Sequence, residues 1–141
     1  MSRIERPFMS QFRVYYEDTD MAGIVYYANY LKFLERGRSD LVRAVGLDQL
    51  VMRDSRDLVF VVKRLEIDYR SPARFDDILD VATETTSMGR ARFEMTQRIS
   101  VERRTVVDAV AEVVCMSLAG KPQRIPADIR DALETGPTNP C

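Results

Sequence analysis

The 141 residues suffice for one domain with its own hydrophobic core, and the formal net charge of −1 provides no overall attraction for nucleic acid or an anionic membrane. The chain contains no histidine. This excludes Ser-His and Cys-His nucleophile activation and every histidine-ligated metal site, so a general base acting near neutral pH must be a carboxylate, a lysine, a tyrosine or a thiol.

Features that would direct the chain out of the cytoplasm are missing from the sequence. The first ten residues contain no apolar segment with a cleavage site, and no apolar run approaches the roughly 20 residues of a membrane span. Cys115 lies in an apolar strand pattern and Cys141 ends the chain. A disulfide between them is one alternative, but two free thiols suit a reducing compartment. We therefore expect a cytoplasmic protein.

The N-terminal third predicts one strand followed by one long helix. Alternating apolar residues predict a strand over residues 12–17, and an acidic loop follows at 18–24. Apolar residues then recur at spacings of three and four, which predicts a helix over residues 27–45. Arg38 interrupts this apolar stripe, and Gly46 stands where the residue after a helix is expected.

From Leu58 onward the apolar period changes to two, which predicts strands. The breaks between them fall at Ser71-Pro72, at Gly89 and at Arg103-Arg104. The predicted elements are a short helix at 48–53, strands at 58–70, 78–88, 92–102 and 107–116, a short helix at 127–134, and a loose tail at 135–141.

This order of elements predicts an α+β fold with a five-stranded antiparallel sheet wrapped around one long helix. We expect a single domain over residues 1–141, with its core at about 12–120. The last strands carry apolar residues on both faces, which predicts that copies of the chain associate through a sheet edge or face.

The strand-to-helix connection is the segment richest in potential chemistry. Asp18-Thr19-Asp20 ends the predicted strand, Met21-Ala22-Gly23 turns, and the helix begins shortly afterwards. A helix start presents unpaired N–H groups that bind an anion or a carbonyl oxygen that is becoming one. A carboxylate just before it would lie beside that electrophile. Attack on a thioester requires both parts: a base or nucleophile, and hydrogen-bond donors for the oxyanion.

Structural roles for the same residues stand beside this interpretation. An Asp before a helix is commonly an N-cap that contributes about 1 kcal/mol. Asp18 could be such a cap, or it could accept hydrogen bonds within the loop. Tyr27 and Tyr30 could be core aromatics, and Glu35, Arg36 and Arg38 could form a solvated helix face.

The segment YEDTDMAGIVYYANYLKFLERGR, within residues 12–43, resembles the active-site signature of the 4-hydroxybenzoyl-CoA thioesterase family, which has the hot-dog fold. Among its members the chain is most similar to the tol-pal-associated acyl-CoA thioesterases. The segments FVVKRLEIDYRSPARFDDIL and TSMGRARFEMTQRI extend the resemblance, which covers residues from about 12 to 120.

The resemblance implies roles for several residues. Asp20 would be the catalytic carboxylate, and the backbone N–H of Tyr27 would polarise the thioester carbonyl. The tol-pal-associated relatives usually carry His at the position of Tyr27, whereas the benzoyl-CoA members carry Tyr. Glu35 would point toward the acyl pocket. Arg90 and Arg92, at the Gly89 turn, would bind the nucleotide of coenzyme A, or else be ordinary surface charges; Arg64, Arg70 and Arg74 are further candidates.

The implied activity is hydrolysis of an acyl-CoA, short-chain or aromatic, to the free acid and coenzyme A, without metal or redox cofactor. The family also implies a homo-oligomer, a tetramer built from dimers, with no nucleic-acid partner. Two alternatives come from other classes. Hot-dog dehydratases rely on His, which this chain lacks. A non-catalytic acyl-carrier or partner-binding module would not need Asp20. Acyl preference and the choice between coenzyme A and a carrier protein stay open.

Overall fold

The computed structural model describes residue 4 and residues 6–137. Cys141, and with it the alternative of a disulfide to Cys115, lies outside these residues, as does most of the predicted tail at 135–141. The strands are β1 Phe8–Arg13, β2 Val59–Tyr69, β3 Ile78–Met88, β4 Arg92–Val101 and β5 Arg104–Met116. The α-helices are α1 Tyr30–Ala44, α2 Gln49–Arg56 and α3 Ala127–Thr135, and single 3₁₀ turns occupy Tyr16–Asp18 and Tyr27–Asn29.

The five strands form one antiparallel sheet in the order β1-β3-β4-β5-β2, which confirms the predicted α+β architecture. The consecutive strands β3, β4 and β5 form the centre of the sheet. The first two strands of the chain, β1 and β2, become its edges. The long helix α1 lies between β1 and β2 in sequence and packs against the sheet. None of the helices in the described ranges is long and apolar enough to cross a membrane.

The core lies between α1 and the sheet because the side of α1 that faces the sheet is mostly apolar. Two buried clusters lie along it: Leu34 packs in the cluster of Val81 and Ile99, and Leu41 packs in the cluster of Phe93 and Met95. The buried residues of the helix are Tyr30, Phe33, Leu34, Gly37, Leu41 and Val42, at the spacings that predicted the helix. α3 adds Ile129 and Leu133 to the second cluster, so the core extends beyond residues 12–120.

The first strand lies earlier in the chain than residues 12–17, so that prediction was wrong in its boundaries. β1 pairs with β3 from Phe8 to Arg13, where the pairing ends because β3 begins at Ile78. The next residues form the 3₁₀ turn Tyr16–Asp18. The apolar alternation continues past Arg13 because Val14 still faces the core, although its N–H bonds to the loop carbonyl of Asp77 at 2.8 Å.

Other boundaries also differ from the sequence-based prediction: β5 begins at Arg104 rather than at residue 107, and α2 extends to Arg56 rather than to residue 53. The helix predicted from residue 27 begins as a 3₁₀ turn, and α1 proper starts at Tyr30. The β4–β5 turn consists of Glu102 and Arg103 rather than of Arg103 and Arg104, since Val101 pairs with Arg104. Glu102 has a φ of 57°, in the left-handed region that a tight hairpin turn requires.

Gly37 sets how closely α1 approaches the sheet. A Cβ at this position would lie 2.7 Å from Val81 Cγ1 and 3.0 Å from Thr83 Oγ1. Both of those side chains belong to the buried face of β3, where neighbours leave them little room to move. The absence of a side chain at residue 37 is therefore a packing requirement.

We predict that Gly37→Ala lowers the free energy of unfolding by about 1–3 kcal/mol, because the added methyl group forces buried atoms apart. The ordinary gain in helix propensity from Gly to Ala, up to about 1 kcal/mol, only partly offsets this. Urea denaturation followed by circular dichroism measures the effect. Lys32→Ala, at an exposed position of the same helix, is the control and should stay within about 0.5 kcal/mol of wild type. A Gly37→Ala protein as stable as wild type would contradict the packing argument.

Candidate active site

Residues 18–26 form a miniature hairpin that ends at the helix start. The N–H of Asp20 donates to the carbonyl of Ile24 at 2.9 Å, and the N–H of Tyr26 donates to the carbonyl of Asp18 at 3.0 Å. Gly23 closes the tip with a φ of +77°, a conformation that glycine adopts without steric cost. Asp20 therefore lies at the tip side of the hairpin, and Tyr27 follows its open end.

The carboxylate of Asp20 is exposed and held on one side. Its Oδ1 accepts a hydrogen bond from the N–H of Ala22 at 2.9 Å. Among the residues that the structure describes, its Oδ2 accepts none. Asp20 is not an N-cap, since Tyr26 and Asn29 occupy the cap positions of the two helical segments. The capping interpretation is thus wrong for Asp20, which keeps one oxygen free for chemistry.

Asp18 has the opposite environment and a structural role. Its side chain is buried, and Oδ2 accepts a hydrogen bond from the N–H of Tyr15 at 2.8 Å. Its backbone carbonyl accepts from the N–H of Tyr26 at 3.0 Å and from Asn29 Nδ2 at 2.9 Å. These bonds join the end of β1 to the start of the helix. Of the two roles considered for Asp18, the loop hydrogen-bonder is confirmed.

The helix start leaves backbone donors open beside this hairpin. Asn29 donates the first 3₁₀ hydrogen bond, to the carbonyl of Tyr26 at 2.8 Å. The N–H groups of Tyr27 and Ala28 precede that bond, so neither has an acceptor inside the helical turn. The phenol of Tyr27 is exposed. The backbone carbonyl of Tyr27 accepts a long hydrogen bond of 3.3 Å from the hydroxyl of Tyr69.

A pocket of about 320 Å³ adjoins the helix start, and we call it the helix-start pocket. Tyr30 forms part of its wall. The hydroxyl of Tyr30 accepts a hydrogen bond from the N–H of Ala73 at 3.0 Å, and burial raises its pKa, so it stays protonated at neutral pH. The lining residues are Ile24, Val25, Tyr27, Tyr30, Tyr69, Arg70, Ser71 and Pro72.

Glu35 lies in a different pocket, of about 150 Å³. We call it the acyl-side pocket after the role that the family resemblance implies for Glu35. Its carboxylate Oε1 accepts a hydrogen bond from Ser39 Oγ at 2.8 Å. The pocket is lined by Glu35, Arg38, Ser39, Val42, Gln49, Phe60, Val62, Phe93, Met95 and Val113. Within one chain, the residues lining this pocket and those lining the helix-start pocket form two separate sets.

Arg90 and Arg92 have unequal surroundings. Arg92 is the first residue of β4 and forms an ion pair with Glu112 at 2.6 Å, and this hydrogen bond raises the pKa of Arg92. Arg90 lies in the bend before the strand, with its carbonyl accepting from the N–H of Ile125 at 2.9 Å. Because Arg90 lies outside the strand, strand alternation does not place the two side chains on one face of the sheet.

The other arginines considered for the nucleotide differ in their engagement. Arg70 bonds the buried carboxylate of Asp108 at 3.3 Å, and Arg64 pairs with Glu66. In the part of the chain that the structure describes, no cluster of three or more Asp, Glu or Cys side chains could hold a metal ion.

Comparison with known proteins gives the family. The model of the Thioesterase superfamily matches residues 22–108. The chain belongs to the Thioesterase superfamily. The match begins inside the Asp20 hairpin and ends on β5, so it spans α1 and most of the sheet. The family predicted from residues 12–43 is confirmed.

Curated relatives and a solved structure agree with this membership. The chain is 41% identical over 119 residues, 83% of this chain and 88% of the relative, to the acyl-CoA thioester hydrolase YbgC of Escherichia coli O6:H1. It is 37% identical over 92% of its length and 96% of the relative to the acyl-CoA thioesterase YbgC of Haemophilus influenzae. A probable thioesterase from Bartonella henselae superimposes with a TM-score of 0.82 at 37% identity, covering 85% of this chain and 99% of that one. The predicted hot-dog fold is thereby confirmed.

One polar site of this thioesterase-superfamily chain was not predicted from the sequence. Gln97 on β4 is fully buried and faces α1, and Arg38 on α1 donates to it from Nη1 to Oε1 at 3.0 Å. Both left a signal in the sequence. Gln97 is the polar residue at an inward position of an otherwise apolar alternation, and Arg38 interrupts the apolar stripe of the helix.

Proposed function

We propose that this chain hydrolyses acyl-CoA thioesters with Asp20 as the catalytic carboxylate. The observation that carries the proposal is the hairpin of residues 18–26, which holds an exposed carboxylate on the segment leading to a helix start with open N–H donors. The relatives named as acyl-CoA thioester hydrolase and acyl-CoA thioesterase support coenzyme A as the carrier.

Two chemical routes are consistent with this geometry. Asp20 could attack the thioester carbonyl and expel the coenzyme A thiolate, leaving a mixed anhydride that water opens to the free acid. Alternatively, Asp20 could take a proton from water, which then attacks the carbonyl. In both routes the carbonyl oxygen gains negative charge, and the backbone N–H of Tyr27 would stabilise it. This donor is a backbone group, so Tyr in place of His leaves it intact.

We predict that Asp20→Asn lowers kcat on the order of 10³-fold or more, because the only base or nucleophile of the proposed mechanism is lost. Asn keeps an oxygen that can accept the hydrogen bond from Ala22, so the fold should persist. Hydrolysis of a short panel of acyl-CoA substrates, read with a thiol reagent, measures the rate. Glu17→Gln, an exposed carboxylate three residues earlier, is the matched control. Near wild-type turnover by Asp20→Asn would exclude this assignment.

For the nucleotide of coenzyme A, we propose a site at Arg90 and Arg92. A chain of near-zero net charge can attract phosphates only where positive charge is locally concentrated. Arg90 forms no ion pair within residues 4 and 6–137, and Arg92 could exchange its contact with Glu112 for a phosphate. Of the two, Arg90 is therefore the one available without breaking an existing bond.

Replacing both arginines by Ala should raise KM for acyl-CoA severalfold with little change in kcat, because contacts far from the reacting carbon act alike on ground and transition states. The effect should shrink with a pantetheine thioester, which lacks the nucleotide phosphates. Arg103→Ala, at an exposed turn position, should leave KM unchanged. If the double variant keeps the wild-type KM, the phosphates bind elsewhere, with Arg64, Arg70 and Arg74 next to be tested.

We propose that the chain forms a homo-oligomer, a tetramer built from two dimers, through the edge strand β2. This strand has 11 residues, and Val61, Val62 and Tyr69 are 39%, 42% and 50% exposed. A long edge with unpaired N–H and C=O groups accepts a second copy readily. Antiparallel pairing of two β2 strands would bring Val62, in the acyl-side pocket, toward Tyr69 of the helix-start pocket in the other copy. The two pockets would then combine across the interface.

We predict that sedimentation velocity at micromolar concentration gives four chains of 16.2 kDa each. If the site is shared between copies, specific activity should also fall on dilution to concentrations where the dimer dissociates. A monomer at micromolar concentration, fully active on dilution, would contradict the shared interface.

We also propose a cytoplasmic location, which rests on the cysteines. The thiol of Cys115 is free and buried, and burial raises its pKa, so it is poorly reactive. A protein with two cysteines and no need for a disulfide to complete its core suits a reducing compartment.

A further inference from the structure

Arg38 interrupts the apolar side of α1. It lies four residues after Leu34 and three before Leu41, both of which are buried in the core. Its side chain is half-buried and forms part of the wall of the acyl-side pocket. Six of the other lining residues are apolar: Val42, Phe60, Val62, Phe93, Met95 and Val113. A guanidinium in such a wall loses much of its hydration, which costs free energy unless partners replace the water.

The position of the guanidinium is set from the sheet. Gln97 donates from Nε2 to the carbonyl of Leu34 at 2.9 Å and to Thr83 Oγ1 at 3.0 Å. A carbonyl oxygen can only accept, so the amide of Gln97 cannot be reversed, and its Oε1 must face Arg38. Arg38 donates to that oxygen at 3.0 Å. A fully buried amide therefore holds Arg38 in place at the inner side of the pocket.

One neutral acceptor leaves most of the guanidinium unsatisfied. Arginine has five N–H donors, and Gln97 accepts from Nη1. No carboxylate within the described ranges forms an ion pair with Arg38. Burial lowers the pKa of Arg38, and the nearby charge of Glu35 opposes that shift without making a direct contact. Among the described residues, Gln97 is the only acceptor bonded to the guanidinium, and Arg38 lines the pocket.

From this geometry we infer that Arg38 is a specificity-determining residue, which selects acyl groups carrying an oxygen at the end remote from the thioester. An alkyl end reaching this wall would cover the guanidinium and leave its donors without water or acceptor. A hydroxyl or a carboxylate at that end would accept from them. The inference rests on the proposed function, since it assigns the acyl group to this pocket.

Glu35 distinguishes a hydroxyl from a carboxylate at the remote end of the acyl group. A hydroxyl can accept from Arg38 and donate to the Glu35 carboxylate, whereas a carboxylate accepts from Arg38 but is repelled by Glu35. Both contacts are available on one wall, because Glu35 and Arg38 are one helical turn apart.

The test compares three six-carbon substrates: hexanoyl-CoA, 6-hydroxyhexanoyl-CoA and adipyl-CoA. For the wild-type protein we expect at least one oxygen-ended substrate to exceed hexanoyl-CoA in kcat/KM by about tenfold, the factor that a hydrogen bond to a charged group supplies. Arg38→Met removes the donors at similar length and should reduce that ratio about tenfold. Arg36→Met, exposed on the same helix, should keep it.

The outcomes separate this inference from the proposed function. If the hydroxyl substrate is favoured most, Glu35 and Arg38 recognise it together; if adipyl-CoA is favoured most, Arg38 acts as a counter-ion. A wild-type ratio near one, or a ratio that Arg38→Met leaves unchanged, overturns the inference while hydrolysis itself stands. Calorimetric binding of the three thioesters to Asp20→Asn gives the same comparison without turnover. Equal affinities for all three thioesters in this binding experiment also overturn the inference. If Arg38→Met does not fold, Arg38→Gln, which can still donate to Gln97, replaces it.

Discussion

The close approach of α1 to the sheet at Gly37 is the constraint on which the rest of the molecule depends. Because residue 37 has no side chain, Gln97 can reach the backbone of the helix and donate to the carbonyl of Leu34 at 2.9 Å. This bond joins the middle strand of the sheet to the middle of the helix inside an apolar interface. Apolar packing alone tolerates small rotations of a helix, whereas a buried hydrogen bond has one geometry. The rotation of α1, and with it the direction of Glu35 and Arg38, follows from it.

The two aspartates of the hairpin show how burial assigns different roles to the same side chain. Asp18 lies inside, where an unpaired carboxylate would be costly, and the backbone N–H of Tyr15 donates to it. Asp20 lies two residues later and outside, where water can solvate the free oxygen. The first residue orders the chain at the cost of being unreactive. In the proposed mechanism the second is the residue that reacts, and the hairpin that the first closes holds it in place.

The edge strand β2 is central to the proposed assembly. β2 connects the two pockets, since its N-terminal half lines one and Tyr69 lines the other. Within one chain these pockets stay apart along the strand. An edge strand can be continued only by another chain, and this links the proposed assembly to the proposed site. In the proposed assembly, two small domains together form a site that is longer than the helix-to-sheet interface of one chain.

Local pattern determined most of the architecture. Three local patterns were sufficient to predict the α+β fold, the five-stranded antiparallel sheet and the family: the apolar period of α1, the alternation of β3 to β5, and the motif around Asp20. Each of these patterns depends only on residues close together in sequence. Only the tertiary structure decided three other features: the end of β1 at Arg13, the bond between Arg92 and Glu112, and the contact of Arg38 with Gln97. These join residues distant in sequence, and a polar residue on an apolar face does not reveal its partner. That partner depends on strand register and helix rotation, which exist only once the chain has folded.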